Sequence, residues 1–248
     1  MDPYTPENLP ISDLSWNKFI SKIGEANRNL ARYDGTLSAM INPGLLLSPL
    51  TTQEAVMSSR IEGTQATLEE VMELEAKTDI KPPETEKEKD VQEIVNYRKA
   101  LNVATDEMQE RPMNLNMIKK IHSVLLNSVR GQHKRRGEYR KKQNWIGSPA
   151  GSMKDAKYVP PAPNQIEELM ANLEGYIHQE EKDPLVQLAI IHAQFELIHP
   201  FLDGNGRVCR ILVPLSLTEK GILHEPMFYL SSYLEENRME YYARLENI

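Results

Sequence analysis

The strongest constraint on the fold is a helical stripe that runs without a break into a polar turn. Leu185, Leu188, Ile191, Phe195 and Ile198 recur at helical spacing, and the next twelve residues are HPFLDGNGRVCR, His199 to Arg210. A second stripe, Val208, Ile211, Leu212 and Leu215, follows at once. Asp183-Pro184 reads as an N-cap with proline at N1. The chain must therefore turn between a helix that ends near Ile198 and one that begins near Asn205, and Gly204 and Gly206 permit that turn. Charge is kept out of ordinary cores, so three charged side chains and a histidine in twelve residues point to chemistry instead.

Helical spacing dominates elsewhere. Leu14, Phe19, Ile20, Ile23, Leu30 and Tyr33 form one stripe, Val91, Ile94, Val95, Leu101 and Met108 another, and Leu115, Ile118, Ile121 and Leu125 a third. Asn164 and Glu167 suggest a capped start for a helix through Ile166, Leu169, Leu173 and Ile177. Residues 228–246 are helical in pattern and rich in tyrosine. Two stretches interrupt this order. Residues 77–90, charged and containing Pro82-Pro83, read as an exposed connection, and residues 136–163 read as a small hairpin and loop. The expected fold is mainly α, a helical bundle with a small β-hairpin. The expected division is an N-terminal helical segment, 1–85, and a core domain, 86–248.

A net charge of −7 argues against a general nucleic-acid binder. Cys209 is the only cysteine, so no internal disulfide forms. No apolar run approaches the ~20 residues that span a bilayer, and the polar start lacks the regions of a signal peptide. A cytoplasmic protein that does not enter membranes is the expectation.

Amides at a glycine-flanked helix start point outward together and suit an anion. Arg207 and Arg210, three residues apart, share a helix face beside that positive end. Asp203 offers a hard oxygen for Mg²⁺, and His199 is a candidate base for an incoming hydroxyl. The set suits transfer of a phosphorus group from a nucleotide. Glu196-x-x-His199 matches half of a di-iron motif, but no second Glu-x-x-His exists. There is no Gly-x-x-x-x-Gly-Lys-Ser/Thr phosphate loop either.

HPFLDGNGRVCR is similar, position for position, to the Fic signature, His-x-Phe-x-Asp/Glu-Gly-Asn-Gly-Arg-x-x-Arg. The resemblance implies a helical enzyme that transfers AMP from ATP to a hydroxyl of a target protein. It implies His199 as base, Asp203 as Mg²⁺ ligand and Gly204, Asn205 and Gly206 as the phosphate nest. Arg207 would hold the inner phosphates, Arg210 the γ-phosphate, and Phe201 would anchor the loop. GEYRKKQNWIG followed by YVPPAP resembles the family's flap, which implies Asn144, Trp145, Ile146 and Gly147 beside the nucleotide and a target docked on the flap. ENRMEYYARL resembles the segment whose tyrosines line the adenine pocket, here Tyr241 and Tyr242. A homodimer is left open, and nucleic acid is expected only through a winged-helix domain, which many relatives carry beyond this point.

Upstream, SSRIEG places Ser58 and Glu62 four residues apart, on one helix face, with Gly63 to end the helix. Beside the signature it resembles the family's inhibitory motif, which implies a carboxylate paired with Arg210 in place of the γ-phosphate. Removal of AMP from a modified protein, or use of another nucleotide, is an alternative within catalysis. From another class, the chain could be a nucleotide-sensing regulatory protein, for which the basic run Lys134, Arg135, Arg136, Arg140, Lys141 and Lys142 would be cited.

Overall fold

The computed structural model describes residues 2–76, 83–127, 129, 134–147 and 153–248. Helix α1 spans Ile20–Ser38, α2 Pro43–Ile61, α3 Leu68–Glu75, α4 Glu86–Met108 and α5 Leu115–Leu125. After the loop region come α6 (Ile166–Ile177), α7 (Pro184–Ile198), α8 (Asn205–Glu219), α9 (Ser231–Glu236) and α10 (Arg238–Leu245). Helix α4 packs on α5, α7 on α6 and α8, and α2 on α4 and α9. One buried cluster collects the apolar stripes: Ile94 and Leu101, Ile118 and Ile121, Leu169 and Leu173, Phe195 and Ile198, Val208 and Leu215. Ala55, Val56 and Val71 join the same cluster, so it draws on both sides of residue 85.

Local chemistry sets the helix ends. Asp183 Oδ1 accepts from the amides of Leu185 and Val186, with Pro184 at N1. The start of α6 departs from expectation. A 3₁₀ turn, Pro163–Gln165, precedes it, and the reciprocal bond is Ala162 N to Gln165 Oε1 rather than a cap at Asn164. The connection expected at 77–90 is shorter as structure. Thr85 and Glu88 form a capping box that starts α4 at Glu86, and 77–82 lie outside the described residues. The tyrosine-rich stretch is two short helices, broken at Asn237.

The hairpin is much reduced. Among the described residues no β-strand forms, and 148–152 lie outside them. What remains is one antiparallel bridge, Ile146 with Tyr158, in which Ile146 N donates to Tyr158 O at 2.9 Å and Lys157 N to Ile146 O at 2.9 Å. The reason is local: Pro160 and Pro161 have no amide to extend a ladder, and Gly147 turns away at φ 99°. Gln143 instead donates its side-chain amide to Pro160 O.

The cap at Asp183 gives a direct test of helix α7. Asp183→Ala should lower stability by about 1–2 kcal/mol in urea unfolding; an unchanged midpoint would mean that the cap is redundant.

Candidate active site

Helix α7 ends at His199, whose backbone is left-handed at φ 48°, with its amide donating to Phe195 O at 3.0 Å. A non-glycine residue held there costs roughly 1–2 kcal/mol, so the surroundings must enforce it. Gly204 is also left-handed, at φ 77°, and a Cβ there would come within 3.3 Å of Leu125. The first α-helical bond of α8 is Val208 N to Gly204 O, which leaves the amides before it pointing out of the helix end.

The loop between the helices is fixed from within. Phe201 is fully buried and stacks on His122 at 3.8 Å between centroids, so it does anchor the loop. Asn205 is buried and clamps the backbone of Phe201, accepting from its N–H at 2.8 Å and donating to its carbonyl at 2.9 Å. Asn144 donates to the same carbonyl at 3.3 Å. His122 Nδ1 accepts from Gly137 N, so Nε2 carries the proton and donates to Asp203 O at 3.0 Å.

A cavity of about 540 Å³ opens beside this loop, within the size range of small-molecule sites. His199, Gly206 and Arg210 form its floor, Trp145, Ile146 and Gly147 one wall, Tyr241 and Tyr242 another. Glu62 also lines it. The Arg210 side chain is 1% exposed; its Nη2 donates to Glu62 Oε1 at 2.7 Å and to Ser58 O at 2.9 Å, and its Nε to Ser58 Oγ at 2.8 Å. Helix α2 ends just before Glu62, and Gly63 leaves it at φ 97°. The approach is close: a Cβ on Gly206 would lie 2.3 Å from Glu62 Oε1. Burial would lower the Arg210 pKa, but the Glu62 charge outweighs it and holds the guanidinium above its ordinary value.

Burial lowers the His199 pKa to about 4, with Arg140 acting in the same sense, so the imidazole is neutral at pH 7. Burial also lowers His122 and His192 to about 4 and raises Glu196 to about 7. Asp203 is partly exposed; burial works to raise its pKa, but Arg207 and Lys134 outweigh it and keep it low. It is a hard oxygen donor, and its Lys134 partner, at 2.8 Å, is itself half exposed. That environment fits a Mg²⁺ ligand. His192, Glu196 and Cys209 also converge, with ligand atoms within 4.8 Å of one another. The Arg210 charge bears on all three, which opposes a cation there.

Asn144, Asp203, Gly204, Asn205 and Arg207 are not among the residues that line this cavity. Arg207 is buried against Glu93 at 2.9 Å and Asp203 at 3.4 Å, because α4 presents a buried carboxylate to it. Asn144 and Asn205 likewise hold the loop rather than the cavity wall. Arg140, grouped in the sequence with the basic run, is 1% exposed. Sequence reasoning passed over Glu93, Glu196, His122 and Arg140 as site residues. A signal existed for His122, which extends the stripe of Ile118 and Leu125.

Comparison with known proteins now bears on this arrangement. The profile of the Fic/DOC family N-terminal region matches residues 20–106, and that of the Fic/DOC family matches residues 112–217. The chain belongs to the Fic/DOC family. It is 30% identical over 139 residues to protein adenylyltransferase fic-1 of Caenorhabditis briggsae, a match covering 51% of this chain and 24% of that protein. It is 43% identical over 70 residues to a probable protein adenylyltransferase of Aquifex aeolicus, covering 28% and 22%. The chain thus spans about a quarter of the length of these curated relatives. A Fic family protein from Desulfovibrio desulfuricans has the same fold, with a TM-score of 0.66 and 23% identity over 98% of this chain and 68% of that one. Among the described residues no helix is long and apolar enough to cross a membrane.

The buried histidine of this Fic/DOC protein gives a stability test. His122 has a pKa of about 4 when folded, against about 6.5 unfolded. Between those values the unfolded chain binds more protons. The His122 contribution is therefore complete above pH 6.5 and is lost as pH falls toward 4. Native protein should exceed His122→Gln in stability at pH 7, and the difference should narrow by pH 5. A difference independent of pH would show that His122 titrates normally.

Proposed function

We propose that this chain transfers AMP from ATP to a hydroxyl side chain of a target protein, and that Glu62 restrains the reaction. One observation carries the reading: His199, Gly206 and Arg210 share a cavity in which Glu62 sits on Arg210. The names of the relatives support the same activity.

In this mechanism the target hydroxyl oxygen bonds to the α-phosphorus, and the bond to pyrophosphate breaks. The hydroxyl proton passes to the neutral imidazole of His199, which lines the cavity. The outward amides of α8 offset the charge that develops on the phosphates, and Arg210 takes the γ-phosphate once Glu62 has left. Mg²⁺, held by Asp203, would neutralise phosphate charge. Arg207, which bridges Glu93 and Asp203, is the residue that would hold the inner phosphates. The wall formed by Trp145, Ile146 and Gly147 belongs to the flap, on which an extended segment of the target docks by main-chain pairing. Tyr241 and Tyr242, which line the cavity, are the residues that would face the adenine. With Glu62 in place the γ-phosphate has no seat, so the α-phosphorus is misaligned for attack.

The test uses Glu62→Gly, in which Arg210 loses its carboxylate partner, with α-labelled ATP and Mg²⁺. Label should appear on protein, and adding His199→Ala should reduce the rate by roughly 10²–10⁴-fold while ATP binding is retained. Equal labelling by the two variants would remove His199 from the mechanism. Binding without label in either would favour a nucleotide sensor.

A further inference from the structure

Arg140 is among the most deeply buried large side chains of the protein, at 1% exposure, yet no carboxylate lies within ion-pair distance of it among the described residues. Its partners are all backbone carbonyls. Nε donates to His199 O at 2.9 Å, and Nη2 to Pro161 O at 2.6 Å, with a longer contact to Ile198 O at 3.4 Å. Nη1 reaches Lys142 O at 3.4 Å, and the Arg140 amide donates to Pro200 O at 2.9 Å. The carbonyls of Ile198 and His199 belong to the negative end of α7, where a cation is favoured. Those of Lys142 and Pro161 lie at the two roots of the loop that carries Trp145 and Ile146.

From this geometry we infer that Arg140 is a positioning residue: it locks the left-handed turn at His199 and ties that turn to both roots of the flap, so that base and target platform share one frame. The inference rests on the reading of His199 as proton acceptor. The turn needs such a lock, since His199 is held at φ 48° without being glycine. Three consecutive residues, Ile198, His199 and Pro200, present carbonyls to the side chain or amide of Arg140, which fixes the backbone on both sides of the histidine. A lysine keeps the charge but cannot reproduce the planar fork that serves both α7 and the flap.

The experiment compares Arg140→Lys with Arg140→Gln, each in the Glu62→Gly protein. Arg140→Gln keeps two N–H donors without the charge, and the exchange of amides in α4 and α5 reports whether each variant is folded. The expected result for Arg140→Lys is at least a tenfold fall in kcat, with KM for ATP within about twofold, because Arg210 and the amides of α8 are untouched. Amide hydrogen exchange should quicken in peptides covering 141–147 and 195–204 together, with α4 and α5 unchanged. An unaltered kcat would overturn the inference. So would a joint change of kcat and KM with exchange rising throughout the protein, which is general loosening. Should Glu62→Gly itself label no protein, AMP transfer fails as a reading. Exchange then decides for Arg140: quickening confined to the two peptides supports the lock, and no change there refutes it.

Discussion

The contact between Arg210 and the end of helix α2 joins parts of the chain that are 148 positions apart. A guanidinium that is 1% exposed carries a large desolvation cost, and it is stable there because its donors are matched. Ser58 supplies a hydroxyl and a carbonyl, and Glu62 the charge. The rest of α2 is pinned to the same end of the molecule. Tyr242, a wall of the cavity, donates to Ile61 O at 2.9 Å. Glu54, two turns upstream, accepts from the amide of Ser231 at the start of α9. The tyrosine wall and the last residue of α2 are thus in direct contact.

A second network continues from the same turn. Thr64, two residues after Glu62, donates to the Glu93 oxygen that Arg207 also reaches, at 3.0 and 2.9 Å. Arg207 in turn meets Asp203, and Asp203 O accepts from His122. The loop between α7 and α8 is thus braced by α4, α5 and the tail of α2, while Arg140 ties it to the flap. The two arginines of one motif have opposite surroundings for a simple reason. Arg207 faces α4, where a buried carboxylate meets it, and Arg210 faces the cavity, where its partner is 37% exposed.

Much of this is legible in the sequence. The paired stripes of α7 and α8, the Asp183 cap and the turn at Gly204 follow from spacing and from backbone preferences. The meeting of Glu62 and Arg210 does not follow from spacing, because they are 148 positions apart; it is the resemblance of two separate motifs that brings them together. Other features depend on tertiary contacts that a linear pattern does not carry. Arg140 sits in a basic run, but carbonyls from α7 and the flap enclose it. The pairing of Arg207 with Glu93, 114 positions away, is another contact that spacing does not carry. Of the hairpin, the described residues show one bridge, next to Pro160 and Pro161, which have no amide to extend a ladder.

The central claim is that Glu62 occupies the place on Arg210 that the γ-phosphate requires. The most direct measurement is the initial rate of AMP transfer, with ATP and Mg²⁺, for the native protein, Glu62→Gly, Arg210→Ala and the double variant. The account predicts that Glu62→Gly exceeds the native rate at least tenfold, about 1.4 kcal/mol of barrier. It also predicts that Arg210→Ala gives no such rise and that the double variant stays slow, because both lack the phosphate ligand. Equal rates for the native protein and Glu62→Gly, or a fast double variant, would contradict it.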